Sequence, residues 1–359
     1  MNYHIHTDSA KSAYLQLYEQ LRKDITAGLY PYGTKLPSKR LLAEELDISV
    51  ITVEHAYDIL CDEGYVEARQ RSGYFAAYRR GDLLSFPEEA AEPVVKTAIS
   101  TPHDPFPFSQ LARTMRRVLQ DRGEQILVKS PNHGCPELRS AISAYLRRSC
   151  AMEVSPRQII IGSGAEYLYS LLVQLLGTAL PYGLEDPSYP QIRRVYEANG
   201  IQCRMLKMGS DGILSSELSA TDAGVLHVTP FHSYPSGITA SASKRTEYLA
   251  WAQRTNGYII EDNFDSELTV SAKNEDPLFS LSADGRVIYL NTFSRTIAPS
   301  MRVGYLVLPE TLLDTFEEKL GFYSCTVPVF EQYVLAQLIS DGSFERHINR
   351  IRRQRRKAK

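Results

Sequence analysis

No segment of the 359 residues approaches the roughly 18 consecutive apolar positions that a membrane-crossing helix requires. The opening stretch, MNYHIHTDSAKSAYLQLYEQ, has no basic patch running into an apolar core, so it does not read as a secretory signal. Cysteine is sparse: Cys61, Cys135, Cys150, Cys203 and Cys325 show neither close pairs nor metal-ligand spacing. Reduced thiols, a cytoplasmic location and no metal centre are therefore expected. No internal repeat is evident. Glycine and proline together number 40, and charged residues make up 23%, a balance that excludes collagen-like or largely disordered chains. What remains is a 43% hydrophobic composition, enough for sizeable cores, in a length that predicts two to three folding units.

Charge is unevenly spread. The formal net charge is -2, yet residues 346–359 (RHINRIRRQRRKAK) hold eight Lys or Arg and no acid. Without them 32 basic residues face 42 acidic ones, a balance of -10. Two readings of this segment stand side by side: a contact with nucleic acid or another acidic surface, and a plain exposed helix end.

Residues 1–80 read as short helices followed by a two-strand ribbon. An amphipathic stretch from Tyr14 to Ile25 leads through AGLYPYG to LPSKRLLAEELDI, then SVITVEHAYDILCDEG and YVEARQRSGYFAAY. Leu41, Leu42 and Leu46 recur at helical spacing, as do Val53, Ala56, Tyr57 and Leu60. Ser38 and Ser49 stand where N-caps are expected. The order predicts a winged helix-turn-helix, whose second motif helix enters the major groove of DNA. Ser49, Ile51 and Thr52 would then face the bases. Ser38, Lys39 and Arg40 would meet phosphate, and Arg69, Arg71 and Gly73 would build the wing. Ten basic residues against eleven acidic ones in this stretch mean that DNA affinity must come from local placement, and a winged helix serving only as a protein contact is the alternative reading. Residues 81–103, rich in acids, prolines and small residues, read as a linker.

From about residue 104, longer helices alternate with short β-rich runs: QIIIG (158–162), GVLHVTP (224–230), GYIIED (257–262), RVIYLN (286–291) and RVGYLVL (302–308). Helical segments such as AEYLYSLLVQLL and SKRTEYLAWAQRT lie between some of them. Runs apolar on both faces predict an α/β fold with a mostly parallel sheet covered by helices. Gly162, Ser163, Gly164 and Ala165 sit between a strand and a helix, where backbone amides can receive phosphate or simply turn the chain. Asp262 ends an apolar strand, which sets a carboxylate at the crevice edge of the sheet.

The segment TKLPSKRLLAEELDISVITVEHAYDILCDEGYVEARQRSGYF resembles the DNA-binding domain of the GntR family of bacterial transcription regulators. Downstream, PNHGCPELRSAISAYLRRS, EDPSYPQIRRVYEANG, TPFHSYPSGITAS, GYIIEDNFDSEL and RVIYLNTFSRTIAPSMRVGYLVLP are similar to a fold-type I, aminotransferase-like domain. The combination resembles the MocR subfamily. That resemblance implies a GntR-type domain over 1–80, a class I/II aminotransferase-like large domain over 104–340, and a basic segment, 341–359, as the stub of a C-terminal small domain.

It also implies a pyridoxal phosphate site. Ser163, Gly164 and Ala165 would cradle the phosphate, Asp262 would pair with the pyridine nitrogen, and Tyr189 would stack on the ring. Thr292, Ser294, Arg295 and Arg302 would surround the phosphate and the lysine loop. The chain departs from this pattern at three places. Val50 replaces an arginine that usually follows the serine opening the recognition helix. Phe264 replaces the tyrosine that donates to the ring hydroxyl. Most consequentially, Thr292-Phe293-Ser294-Arg295 carries arginine where relatives carry the Schiff-base lysine, and a guanidinium does not form that imine. Neither Lys244 nor Lys273, both expected on helix or loop surface, stands in for it. His133 and His232 have no acidic or cysteine partner at a spacing that marks a dyad or metal site. No catalytic residue is therefore assigned.

The leading expectation is a cytoplasmic, homodimeric regulator that binds double-stranded operator DNA. Its aminotransferase-like domain would dimerise and sense non-covalent pyridoxal phosphate or an amino-acid-like effector, without the internal aldimine. A working aminotransferase and a degenerate, non-enzymatic scaffold are the alternatives.

Overall fold

The computed structural model describes residues 3–5, 11–69, 72–78, 106–268 and 276–358. Arg71, Lys273 and the linker stretch 81–103 lie outside the described residues. The chain divides into two compact units, Met1–Ile99 and Ser100–Lys359.

In the first unit, α1 (Ala13–Ala27), α2 (Lys39–Glu45) and α3 (Val50–Asp62) precede a ribbon of β1 (Val66–Arg69) and β2 (Gly73–Ala76). Helix α1 buries Leu17, Tyr18, Leu21 and Ile25, and α3 buries Val53, Ala56, Tyr57 and Leu60. These positions fall three and four apart, so each helix turns one stripe to a shared core. Leu42 joins that core, whereas Leu41, on the same apparent spacing, is about half exposed. The two helices of the motif are locked at their entry, because the Tyr57 hydroxyl donates to the Pro37 carbonyl at 2.8 Å.

The second unit opens with α4 (Phe108–Arg122) and α5 (Pro136–Cys150). There follow β3 (Ile159–Gly162), α6 (Ala165–Leu176), β4 (Tyr182–Asp186), α7 (Pro190–Ala198) and β5 (Cys203–Lys207). Next come α8 (Ser215–Ala220), β6 (Val225–Val228), α9 (Ala242–Thr255), β7 (Tyr258–Asp262), α10 (Leu278–Leu281), β8 (Val287–Thr292) and β9 (Gly304–Val307). The unit closes on α11 (Leu313–Leu320), α12 (Val329–Ser340) and α13 (Ser343–Ala358).

The seven strands lie in the order β3-β9-β8-β7-β6-β4-β5. Strand β9 runs antiparallel to both its neighbours, and the other pairings are parallel. Alternate residues feed opposite layers: Tyr305 and Val307 pack in the core that holds α5, α12 and α13, while Leu306 between them enters the core that holds α6, α7 and α11. All five β-rich runs read from sequence are strands. Two further strands, β4 and β5, carry Gly, acids and a half-buried edge, and so lack the unbroken apolar signature.

The basic C-terminal segment is helical, and it is docked rather than wholly solvated. Ile348 and Ile351 are buried, and Arg352 Nε and Arg355 Nη1 donate to the carbonyls of Glu267 and Leu268 at 2.6 and 3.1 Å. Only part of its charge, including Arg353, Arg356 and Lys357, faces solvent.

Candidate functional site

The start of α3 is built by its cap. Thr52 N donates to Ser49 Oγ at 3.0 Å, and the two hydroxyls are 2.8 Å apart, so both side chains are already engaged. Ile51 projects from the first turn, 64% exposed, with Val50 beside it. At α2, Ser38 Oγ accepts from Leu41 N at 3.2 Å. Arg40 is exposed. Lys39, expected on phosphate, instead donates to Glu54 of α3, a bond that raises its pKa, and it lies 5.8 Å from the Tyr74 ring centroid. In the wing, Arg69 lies over the Phe75 ring at 4.5 Å and donates to Glu67 at 3.2 Å. Gly73 has φ of 111°, and a Cβ there would meet Lys35 Cε at 3.1 Å. A left-handed turn against a neighbouring side chain explains glycine at this place.

The second candidate site lies at the carboxyl ends of the parallel strands, where open α/β sheets form their crevices. Ser163, Gly164 and Ala165 lead from β3 into α6. Gly164 adopts φ of 91°, and a Cβ on it would stand 3.0 Å from the Arg302 guanidinium. Sequence-distant Arg302 thus lies against the turn, and it donates to Glu166, in the first turn of α6. Glu166 had no role in the sequence reading. Of the remaining expected residues, Tyr189 is exposed and meets Tyr234 edge-on, with centroids 6.1 Å apart. Thr292 is buried, and Ser294 Oγ donates to Met301 O at 3.2 Å.

Asp262, at the end of β7, is buried in a network that sequence spacing could not disclose. Tyr169 of α6 donates its hydroxyl to Asp262 Oδ2, and Phe264 N donates to Oδ1 at 3.2 Å. His227 Nε2 lies 3.4 Å from Oδ2, while its Nδ1 is 2.8 Å from the Tyr196 hydroxyl. These contacts are mutually consistent when Tyr196 donates to Nδ1 and Nε2 carries the proton that faces Asp262. The Tyr169 hydroxyl pKa is driven well up by burial and by the adjacent carboxylate. The one clue in the sequence was a lone histidine inside the apolar run GVLHVTP.

Beside Asp262, Glu185 of β4 is fully buried. It accepts from Ser233 Oγ at 2.6 Å and from Thr229 N at 3.1 Å. Burial pushes its pKa up to about 7, against the pull of those two bonds. Glu261 and Glu267 are likewise pushed up to about 7 by burial.

Tertiary structure gives each histidine an acidic neighbour from a distant segment. His133 Nε2 lies 3.0 Å from Glu317, and burial lowers the histidine pKa. His232 Nδ1 lies 3.3 Å from Asp265, whose other oxygen is 3.5 Å from Arg295. Lys244, expected on the surface, is buried in α9, where its ammonium donates to Glu247 at 2.7 Å and Ser215 at 3.1 Å. Among the described residues, no three His, Cys, Asp or Glu side chains gather as a metal-holding group, and no helix is long and apolar enough to cross a membrane.

Residues 13–75 match the family of bacterial regulatory proteins, gntR family, and residues 100–359 match aminotransferase class I and II. The chain is 34% identical over 357 residues to the uncharacterized HTH-type transcriptional regulator YdeL of Bacillus subtilis, covering 96% of this chain and 77% of that protein. It is 31% identical over 366 residues to the probable rhizopine catabolism regulatory protein MocR of Rhizobium meliloti, covering 94% and 74%. Among solved structures it resembles an archaeal alanine:glyoxylate aminotransferase with a TM-score of 0.62 and 24% identity, over 67% of this chain and 62% of that one. A GntR-type helix-turn-helix followed by an aminotransferase fold, in a chain collinear with these regulators, means that the protein belongs to the MocR subfamily of GntR-family transcription regulators.

Proposed function

We propose that the chain is a cytoplasmic regulator whose residues 1–80 bind double-stranded operator DNA. Its large domain, about residues 104–340, serves as the dimerisation and effector module, with the linker at 81–103 before it and the basic segment 341–359 after it. The observation that carries the DNA reading is the entry to α3: a capped helix presenting Ile51 beside a ribbon whose Gly73 permits the tight wing. Ser38, Lys39 and Arg40 at the neighbouring helix start, with Arg69 and Arg71 of the wing, would lie along the phosphates, and Ser49, Ile51 and Thr52 along the base edges. Lys39 would have to leave Glu54 to do so.

The crevice supports a pyridine phosphate held without a covalent bond. In the Ser163-Gly164-Ala165 turn a Cβ on Gly164 would crowd the Arg302 guanidinium at 3.0 Å, so glycine lets that cation lie against the turn. Asp262 would hold the proton on the pyridine nitrogen, and Tyr189 would cover the ring. Thr292 ends β8, and Ser294 and Arg295 lie in the loop beyond it. When bound, pyridoxal phosphate supplies an electron-accepting ring. Arg295 and Phe264 leave that ring without an imine-forming amine or a phenol at the family positions, so the reading is a sensor rather than a transaminase. A ligand that favours one arrangement of a dimer's DNA-binding units over another would couple binding to regulation.

Fluorescence anisotropy with DNA from upstream of the protein's own gene, in excess non-specific competitor and near-physiological salt, tests this reading. Saturable binding that survives competitor, with a midpoint that moves when pyridoxal phosphate is added, is expected. Equal affinity for unrelated DNA would overturn the operator assignment. An unmoved midpoint would overturn the sensing role.

A further inference from the structure

Three neighbouring parallel strands each deliver one ionisable side chain to the same edge of the sheet. His232 follows β6 by four residues, Asp265 follows β7 by three, and Arg295 follows β8 by three. Asp265 is buried, with one oxygen 3.3 Å from His232 Nδ1 and the other 3.5 Å from Arg295. The two bases keep 54% and 56% of their side-chain surface in solvent. A buried carboxylate thus anchors two exposed nitrogen groups from beneath, which orients them without sealing them off. Asp262 lies at the end of the central strand of the three, so the cluster stands over the crevice already described.

The charge at this mouth differs in kind from that of a lysine. A guanidinium stays cationic at every physiological pH, is planar, and carries five N–H donors. The bond to Asp265 uses Nη2 alone. Such a group gains nothing from a ligand aldehyde, pairs well with a carboxylate through parallel N–H bonds, and repels an ammonium.

We propose that Arg295, with His232 and buried Asp265, forms a carboxylate-reading cluster, so that the preferred ligands are pyridine phosphates bearing a ring carboxylate rather than an aldehyde or an aminomethyl group. Arg295 is the specificity-determining residue, and Asp265 and His232 position it. The inference rests on the proposed binding of a pyridine phosphate in this crevice.

Titration calorimetry on the full chain tests it with three probes: 4-pyridoxic acid 5′-phosphate, pyridoxal phosphate and pyridoxamine phosphate. The acid is expected to bind at least about tenfold more tightly than the amine, the scale of one charge-assisted hydrogen bond. The Arg295→Gln variant is expected to bring that ratio close to one while its melting midpoint stays that of the parent. Arg295→Met serves as a second variant of similar length. Equal affinities in the parent chain, a preference for the amine, or a ratio that survives both substitutions would overturn the cluster while leaving pyridine phosphate binding intact. No binding of any probe to any of the three proteins would overturn the parent reading and this one with it.

Discussion

Both units carry ion pairs at the surface, but among the described residues only the large unit also buries carboxylates. In the helix-turn-helix unit, Lys39 meets Glu54 and Arg69 meets Glu67 at the solvent surface, where water screens each pair. In the large unit, Asp262, Glu185, Glu261 and Glu267 are withdrawn from water, and each is held by donors from other elements. The surface pairs are therefore adjustable, whereas the buried carboxylates of the large unit are structural. A DNA-reading surface has to exchange its internal partners for phosphate at little cost, whereas a binding crevice has to keep its groups aligned before the ligand arrives.

The largest test of this contrast is Asp262→Ala. It leaves the Tyr169 hydroxyl without its buried acceptor and removes the carboxylate that lies 3.4 Å from His227, and a loss of roughly 3 kcal/mol in unfolding free energy is expected. Denaturant titration followed by Trp251 measures it cleanly, because the chain's single tryptophan is buried in this unit. Stability unchanged to within experimental error would mean that the network is incidental.

The next effect is a pH dependence. Glu185, Glu261 and Glu267 sit near 7 in the folded chain against an ordinary value of 4.5. Between those limits the folded state holds protons that the unfolded chain has released. Their stabilisation is complete below pH 4.5 and is lost as pH rises through 7, at up to about 1.4 kcal/mol per pH unit for each group. Trp251-monitored titrations at pH 5.5 and 7.5 should show Glu185→Gln with a flatter dependence than the parent. An identical slope would place Glu185 outside the titrating set.

A smaller loss is expected from Ser49→Ala. Removing the cap of α3 should cost about 1 kcal/mol locally. Faster hydrogen exchange at the Thr52 amide, with Trp251-monitored unfolding unchanged, is the expected readout. The smallest effect is Lys39→Met, which should leave the melting midpoint in place and weaken DNA binding about equally for all sequences, as a phosphate contact does. A melting midpoint lowered as far as by a core substitution would erase the contrast between the units.

The helix-turn-helix was legible because its determinants are local. Val53, Ala56, Tyr57 and Leu60 recur at the helical period, and all four are buried. Ser38 and Ser49 cap the helices they precede. The glycine-rich turn after β3 and the carboxylate ending β7 were readable for the same reason, since each belongs to a short strand-and-turn pattern. Periodicity did not show that Leu41 turns outward, or that strands as polar as β4 and β5 complete the sheet.

The sequence by itself determined the order of the two folds, the recognition helix, and the presence of arginine where an imine-forming lysine would be required. Those facts are written within a few consecutive residues, where period, cap and side-chain chemistry act directly. Only the tertiary structure decided that Glu166 holds Arg302, that His227 and Tyr169 close on Asp262, and that Asp265 joins His232 to Arg295. Those partners come from separate strands and helices, and strand order and register bring them together, so no spacing along the chain could have signalled them.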